Sequence, residues 1–137
     1  MTGNKQWMRF LLVSALLALL FASGCGAVDA GKDLADQGNA FMTALKDGDF
    51  QAAYDQMTPE LQQEIGSVTD LQNMIVDNAA TPTKWSLSSV NMSTEEGLNK
   101  GTLEGSVDYA DGKSGTVNLE YVQQDGAWKM LSFSLNW

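Results

Sequence analysis

The side chains that carry most chemistry near neutral pH are scarce in this chain. Among 137 residues there is no histidine and a single cysteine, Cys25. Lacking histidine removes the commonest general base, the commonest metal ligand and the usual partner of a nucleophilic serine. A zinc site of cysteine and histidine has no ligand set here, so neither a metal nor a cofactor is expected. No glycine-rich phosphate loop sits between a strand and a helix, and no repeat recurs at a fixed period. Acids are plentiful, yet Asp47-Gly48-Asp49 does not have the spacing of an EF-hand loop. What remains is a carboxylate whose pKa burial raises, or a lysine whose pKa burial lowers. Lys84, Lys113 and Lys129 fall at strand margins or beside turns, where water keeps them charged. Whether an acid is buried depends on the elements that carry it.

Cys25 has a different chemistry. It follows a basic segment with Lys5 and Arg9, an almost wholly apolar run from Phe10 to Ala22, and the small residues Ser23 and Gly24. That is the tripartite form of a secretory signal, and it is too short to span a bilayer comfortably. Ala22-Ser23-Gly24-Cys25 resembles the bacterial lipobox, with Ala22 where leucine is usual. In that motif a peptidase cuts between Gly24 and Cys25, and the thiol carries diacylglycerol. A lone cysteine has no internal disulfide partner, and an exposed free thiol is a liability outside the cell. The reading is a signal peptide over 1–24, a short tether over 25–32 and a domain over 33–137. The membrane is then a partner through acyl chains on Cys25, palmitate among them, with the domain in the cell envelope outside the cytoplasm. Gly26 after the cysteine permits outer-membrane delivery where such a membrane exists.

Cleavage leaves 113 residues, enough for one domain with a real core. It removes Lys5 and Arg9, so six lysines face 17 acids, the net charge is −11, and no arginine is left. Such a surface excludes nucleic acid, which needs clustered Lys or Arg to displace counterions. Attachment to anionic lipid by charge is excluded likewise.

The domain changes character near Thr81. Before it, apolar residues keep helical spacing: Leu34, Phe41, Ala44 and Leu45 share one face. Gly48 stops that helix and Asp49 caps the next, which buries Phe50, Ala53, Tyr54 and Met57. Thr58-Pro59-Glu60 opens a third helix, with Leu61 and Ile65 inside. A fourth, capped by Ser67 or Thr69, buries Leu71, Met74 and Ile75. After Pro82 the period becomes two. Trp85 and Leu87 share a parity that Val90 and Met92 reverse, so Ser88-Ser89 is read as a bulge. Leu103, Val107 and Tyr109 form one inner row, and Val117, Leu119 and Tyr121 the next. Asp111-Gly112 and Asp125-Gly126 are hairpin turns. The last strand shifts parity at Leu131, between Trp128-Met130 and Phe133-Leu135. The fold class is α+β: N-terminal helices packed on a curved antiparallel sheet of about four strands. Asp108 and Glu120 take the parity opposite to the apolar rows, so they are expected to face solvent.

The phrase Phe41-Met42-Thr43-Ala44-Leu45-Lys46-Asp47-Gly48-Asp49-Phe50, with Thr58-Pro59-Glu60-Leu61 and Asp125-Gly126-Ala127-Trp128, resembles NTF2-like domains. It is most similar to small bacterial lipoproteins of the DUF4878 or DUF3887 kind, over roughly Asp33 to Trp137. That resemblance implies a cystatin-like cone, in which a long helix lies in a curved sheet. Cone lining would come from Phe41, Tyr54, Trp85, Tyr109, Tyr121 and Trp128, and Trp137 would help fill the space between helix and sheet. The fold hosts both enzymes and inert subunits, so it does not decide function. Catalytic relatives use a carboxylate base in an apolar cone. Glu104, Asp108 and Glu120 are the acids available here, with Tyr54, Tyr109 and Tyr121 as donors.

Three readings follow. The preferred one is a membrane-tethered, non-enzymatic binding or protein-interaction module, with no catalytic residue. Its partner would be an envelope protein, a small apolar ligand, or a second copy docked through the sheet. The alternatives are an isomerase- or dehydratase-type enzyme with a buried carboxylate, and a structural accessory subunit of an envelope complex.

Overall fold

Helix-stopping residues set the path of the first half of the chain. The computed structural model describes residues 26–137, so Gly24 and Cys25 lie outside the described residues. Helix α1 (Gly26–Asp47) ends where Gly48 turns left-handed at φ 76°. Asp49 then caps α2 (Phe50–Asp55) by accepting from the Ala52 N–H. Thr58 caps α3 (Pro59–Ile65), accepting from the Leu61 N–H, with Pro59 in the first turn and Glu60 beside the positive helix end. Ser67, rather than Thr69, caps α4 (Val68–Asp77). Helix α1 starts at Gly26, so the segment 25–32 read as a tether is helical from that residue on. Extending a formed helix backward costs far less than nucleating one, and Ala27 and Ala30 favour it.

Four strands follow, β1 (Pro82–Glu95), β2 (Leu98–Tyr109), β3 (Ser114–Gln124) and β4 (Ala127–Asn136). They pair antiparallel in sequence order, and β1 and β4 are the sheet edges. Of three register shifts, one leaves Thr83 extra at the start of β1, and the other two occur where parity reverses. Leu87 opposes Gly105 and Ser89 opposes Glu104, which leaves Ser88 extra. Glu120 opposes Ser132 and Tyr121 opposes Met130, which leaves Leu131 extra. Bulges bend a strand, and here they help to curve an unclosed sheet around the helices. The β1–β2 turn is Glu96-Gly97, with φ 52° and 78°, a tight turn the sequence does not advertise.

Residues Gly31–Trp137 form a compact unit that contains the whole core. Inside, α1 lies against the sheet at two glycines. A Cβ on Gly38 would run into the Leu103 side chain, and one on Gly101 into Leu34. The two glycines therefore make room for leucine side-chain tips between helix and strands, and Leu34, Phe41 and Leu45 are wholly buried. Not every apolar residue is inside. Met74 and Trp137 are 41% and 51% exposed, against the expectation that both are core.

The two edges of the sheet differ. In β4 the Met130 N–H donates to the Gln56 carbonyl at 2.8 Å, and the Thr58 N–H donates to the Met130 carbonyl at 2.9 Å. The α2–α3 linker thus clasps that edge at Met130. Along β1, no backbone bond to anything but β2 occurs among the described residues from Lys84 to Glu95.

Candidate functional site

The helix-covered face of the sheet carries the residues read as cone lining. Phe41 and Tyr121 have no accessible surface, so no water-sized void touches them, and they fill the interior rather than line an opening. Phe41 packs on Phe133 with ring centroids 5.3 Å apart. Tyr109 is 3% exposed; its hydroxyl donates to the Asn136 carbonyl, and its ring meets Trp137 edge-on. Trp128 is buried beside Met130. The other two are peripheral. Tyr54 is half-buried and ties α2 to α3, its hydroxyl donating to the Gln62 carbonyl at 3.1 Å. Trp85 is half-buried, and its indole N–H donates to Asn39 Oδ1 at 3.0 Å, fastening β1 to α1. The six are therefore not brought together around one opening.

Three polar atoms in this interior make no hydrogen bond among the described residues: Gln56 Oε1, the Tyr121 hydroxyl and Trp128 Nε1. Burial pushes the Tyr121 hydroxyl well above the usual tyrosine range, because its anion would lose all hydration. The same cause raises Tyr109 less. An unpartnered buried hydroxyl costs stability. Tyr121→Phe is therefore expected to be neutral or to stabilise by about 1–3 kcal/mol, read from a urea midpoint. A folded-state pKa above the unfolded one gives stability that is full below about pH 10 and lost as pH rises further. The phenylalanine variant should flatten that alkaline loss, leaving the smaller shares due to Tyr109 and to Lys100, whose hydrogen bond to Glu95 holds its ammonium above the usual lysine range. A large destabilisation at neutral pH would refute the unpartnered state of the hydroxyl.

The carboxylates lie on the other face, as their parity requires. Glu104, Asp108 and Glu120 are all exposed. Each accepts a hydrogen bond from the next strand: Glu104 from Asn118, Asp108 from Ser114 at 2.6 Å, and Glu120 from Ser132 at 3.0 Å. Around Glu104 opens a groove of about 600 Å³ lined by Ser86, Ser88, Ser106, Thr116 and Asn118. This hydroxyl- and amide-lined face was not read from the sequence as a groove. Its signal was present in the alternation of serine, threonine and asparagine on the outer parity. A second opening, about 300 Å³, lies between Met74 of α4 and Phe133, Leu135 and Trp137. It accounts for two of the exposed apolar residues. Among the described residues no group of three or more acids or cysteines could hold a metal ion, and no helix is long and apolar enough to cross a membrane.

Helices covering one face of an open four-stranded sheet, with a filled apolar interior and acids outside, define a small α+β domain. Residues 32–136 match the family described as a domain of unknown function, DUF4864, and the chain belongs to that family. That family is neither DUF4878 nor DUF3887. A search of curated proteins gave no match.

Proposed function

We propose that this chain is an envelope lipoprotein, held to a membrane through lipid on Cys25, whose domain works by binding rather than by chemistry. The observation that carries the reading is the segregation of the sheet's two faces. Glu104, Asp108 and Glu120 stand in water while the helix-covered side is apolar and packed. A carboxylate base in an apolar cone, as in the catalytic relatives of the NTF2-like fold, would need the opposite placement. The order of helices and strands, and a long helix in a curved sheet, support an NTF2-like kinship for the domain. The lipobox and the leader support the anchor and a location outside the cytoplasm.

Two measurements test this reading. Mass spectrometry of membrane-extracted protein is expected to show residues 1–24 gone and a diacylglycerol mass on Cys25, with Cys25→Ala left unprocessed. An unmodified chain starting elsewhere would refute the anchor. In a deletion strain, the triple variant Glu104→Gln, Asp108→Asn, Glu120→Gln is expected to restore the parental phenotype in full. Failure of that variant, folded and at normal abundance, would revive the carboxylate enzyme.

A further inference from the structure

The free edge of β1 carries a self-complementary stretch. Between Lys84 and Glu95 the ten residues 85–94 hold no charge, in a chain whose net charge is −9. Open edges are usually blunted by charges, above all lysine, because unpaired N–H and C=O groups recruit other strands. Here those charges stand only at the two ends of the stretch. Within it, Val90 and Met92 are 43% and 49% exposed, although they oppose Leu103 and Gly101 on the helix-covered side of the sheet. The order of side chains about Asn91 is nearly symmetric: Ser89, Val90, Asn91, Met92, Ser93.

We infer that β1 pairs with β1 of a second copy, antiparallel and centred on Asn91, to form a two-fold dimer with a continuous sheet. In that register Val90 opposes Met92 of the second copy, and the symmetry repeats the pair on the far side of the axis. Ser89 opposes Ser93, and Asn91 opposes itself. Like therefore meets like: apolar pairs on one face, small polar pairs on the other, with no charge opposed to any charge. A two-fold contact needs one patch that complements itself, and this strand supplies it. For an acidic protein, the uncharged edge is also where two copies approach with the least repulsion. A strand pair this short buries less than a standard interface, so the dimer is a weak one that dissociates on dilution. The inference does not depend on the lipid anchor.

The test is cysteine cross-linking of the full chain in bacterial membranes, with Cys25 alone as background. Residues facing each other across an antiparallel pair have Cα atoms about 4.5–5.5 Å apart, inside the range a disulfide spans. Asn91→Cys is expected to oxidise to a homodimer about tenfold faster than Gln51→Cys on the exposed side of α2. Val90→Cys and Met92→Cys, each alone, should link poorly; co-expressed, they should link to each other. Asn91→Asp, nearly isosteric, places two negative charges on the axis and should suppress that mixed linkage without lowering the melting temperature. Equal rates for Asn91→Cys and Gln51→Cys would overturn the inference. So would linkage of Asn91→Cys to a different protein, or indifference of the mixed pair to Asn91→Asp. Processing at Cys25 shows on the same gel as a mobility shift, so loss of the anchor and loss of the dimer are read separately.

Discussion

Phe41→Ala is expected to cost about 3–5 kcal/mol of folding stability, seen as a large drop in the urea midpoint with little change in slope. The ring is wholly buried, sits in the middle of α1, and packs on Phe133 of β4. Its removal would leave a void between α1 and the sheet, where the neighbours are themselves closely packed. Total stability for a domain of this size is about 5–15 kcal/mol, so the loss is a large share. Phe41→Leu, which keeps most of the volume, should cost much less. A midpoint for the alanine variant equal to the parent's would mean that α1 does not hold the sheet through this ring.

Gly105→Ala is the second large effect, and it tests the bend in β1. A Cβ at Gly105 would fall on the backbone carbonyl of Ser86 and within 3.0 Å of Leu87 Cα, just before the extra residue Ser88. Backbone yields far less readily than a side-chain tip, so the clash can be relieved only by moving β1 off β2. A loss of about 3 kcal/mol or more is expected, at or beyond the upper end of overpacking costs. Gly31→Ala supplies the control. It lies in α1 with no atom within 4 Å of the added carbon, so the same chemical change should stabilise by about 0.4–1 kcal/mol. Opposite signs for the two variants would attribute the first loss to the close approach at the bulge. A mild effect at Gly105 would show that the strand crossing is looser than described.

The sequence carried most of this architecture because its signals were backbone signals. Gly48, Asp49, Thr58 and Ser67 act through their own φ angles or side-chain caps, so their roles survive without knowledge of the tertiary fold. The bulges at Ser88 and Leu131 were legible because a single extra residue reverses the parity of everything after it. The Glu96-Gly97 turn was not, since glutamate is an unusual occupant of a left-handed position that asparagine or aspartate would announce. Burial was only partly legible. Period two placed Glu104, Asp108 and Glu120 outside, but it does not say how far the helices reach. Val90 and Met92 have the inner parity and remain exposed, as does Met74 on a helix face read as apolar. Val122 does the reverse. It has the outer parity yet is 3% exposed, opposite Lys100 and Lys129, whose alkyl stems suit such cover. The six residues read as cone lining do not surround one opening: Phe41 and Tyr121 are wholly buried, while Tyr54 and Trp85 are half-buried at the periphery, because whether a cavity is filled depends on how side chains from several elements meet.

The clasp of Gln56 and Thr58 on Met130 bears on how far any assembly through the sheet can proceed. A monomer reactive at both ends makes polymers; a monomer reactive at one end terminates them. A four-stranded sheet with both edges bare is the first kind, able to add copies at either side and to lengthen into a fibre. By pairing its own linker with Met130, the chain covers one point of the β4 edge and so disfavours growth there, while the β1 edge stays free along its length. The linker between two short helices thereby works against chain growth, and losing it would leave both sheet edges bare.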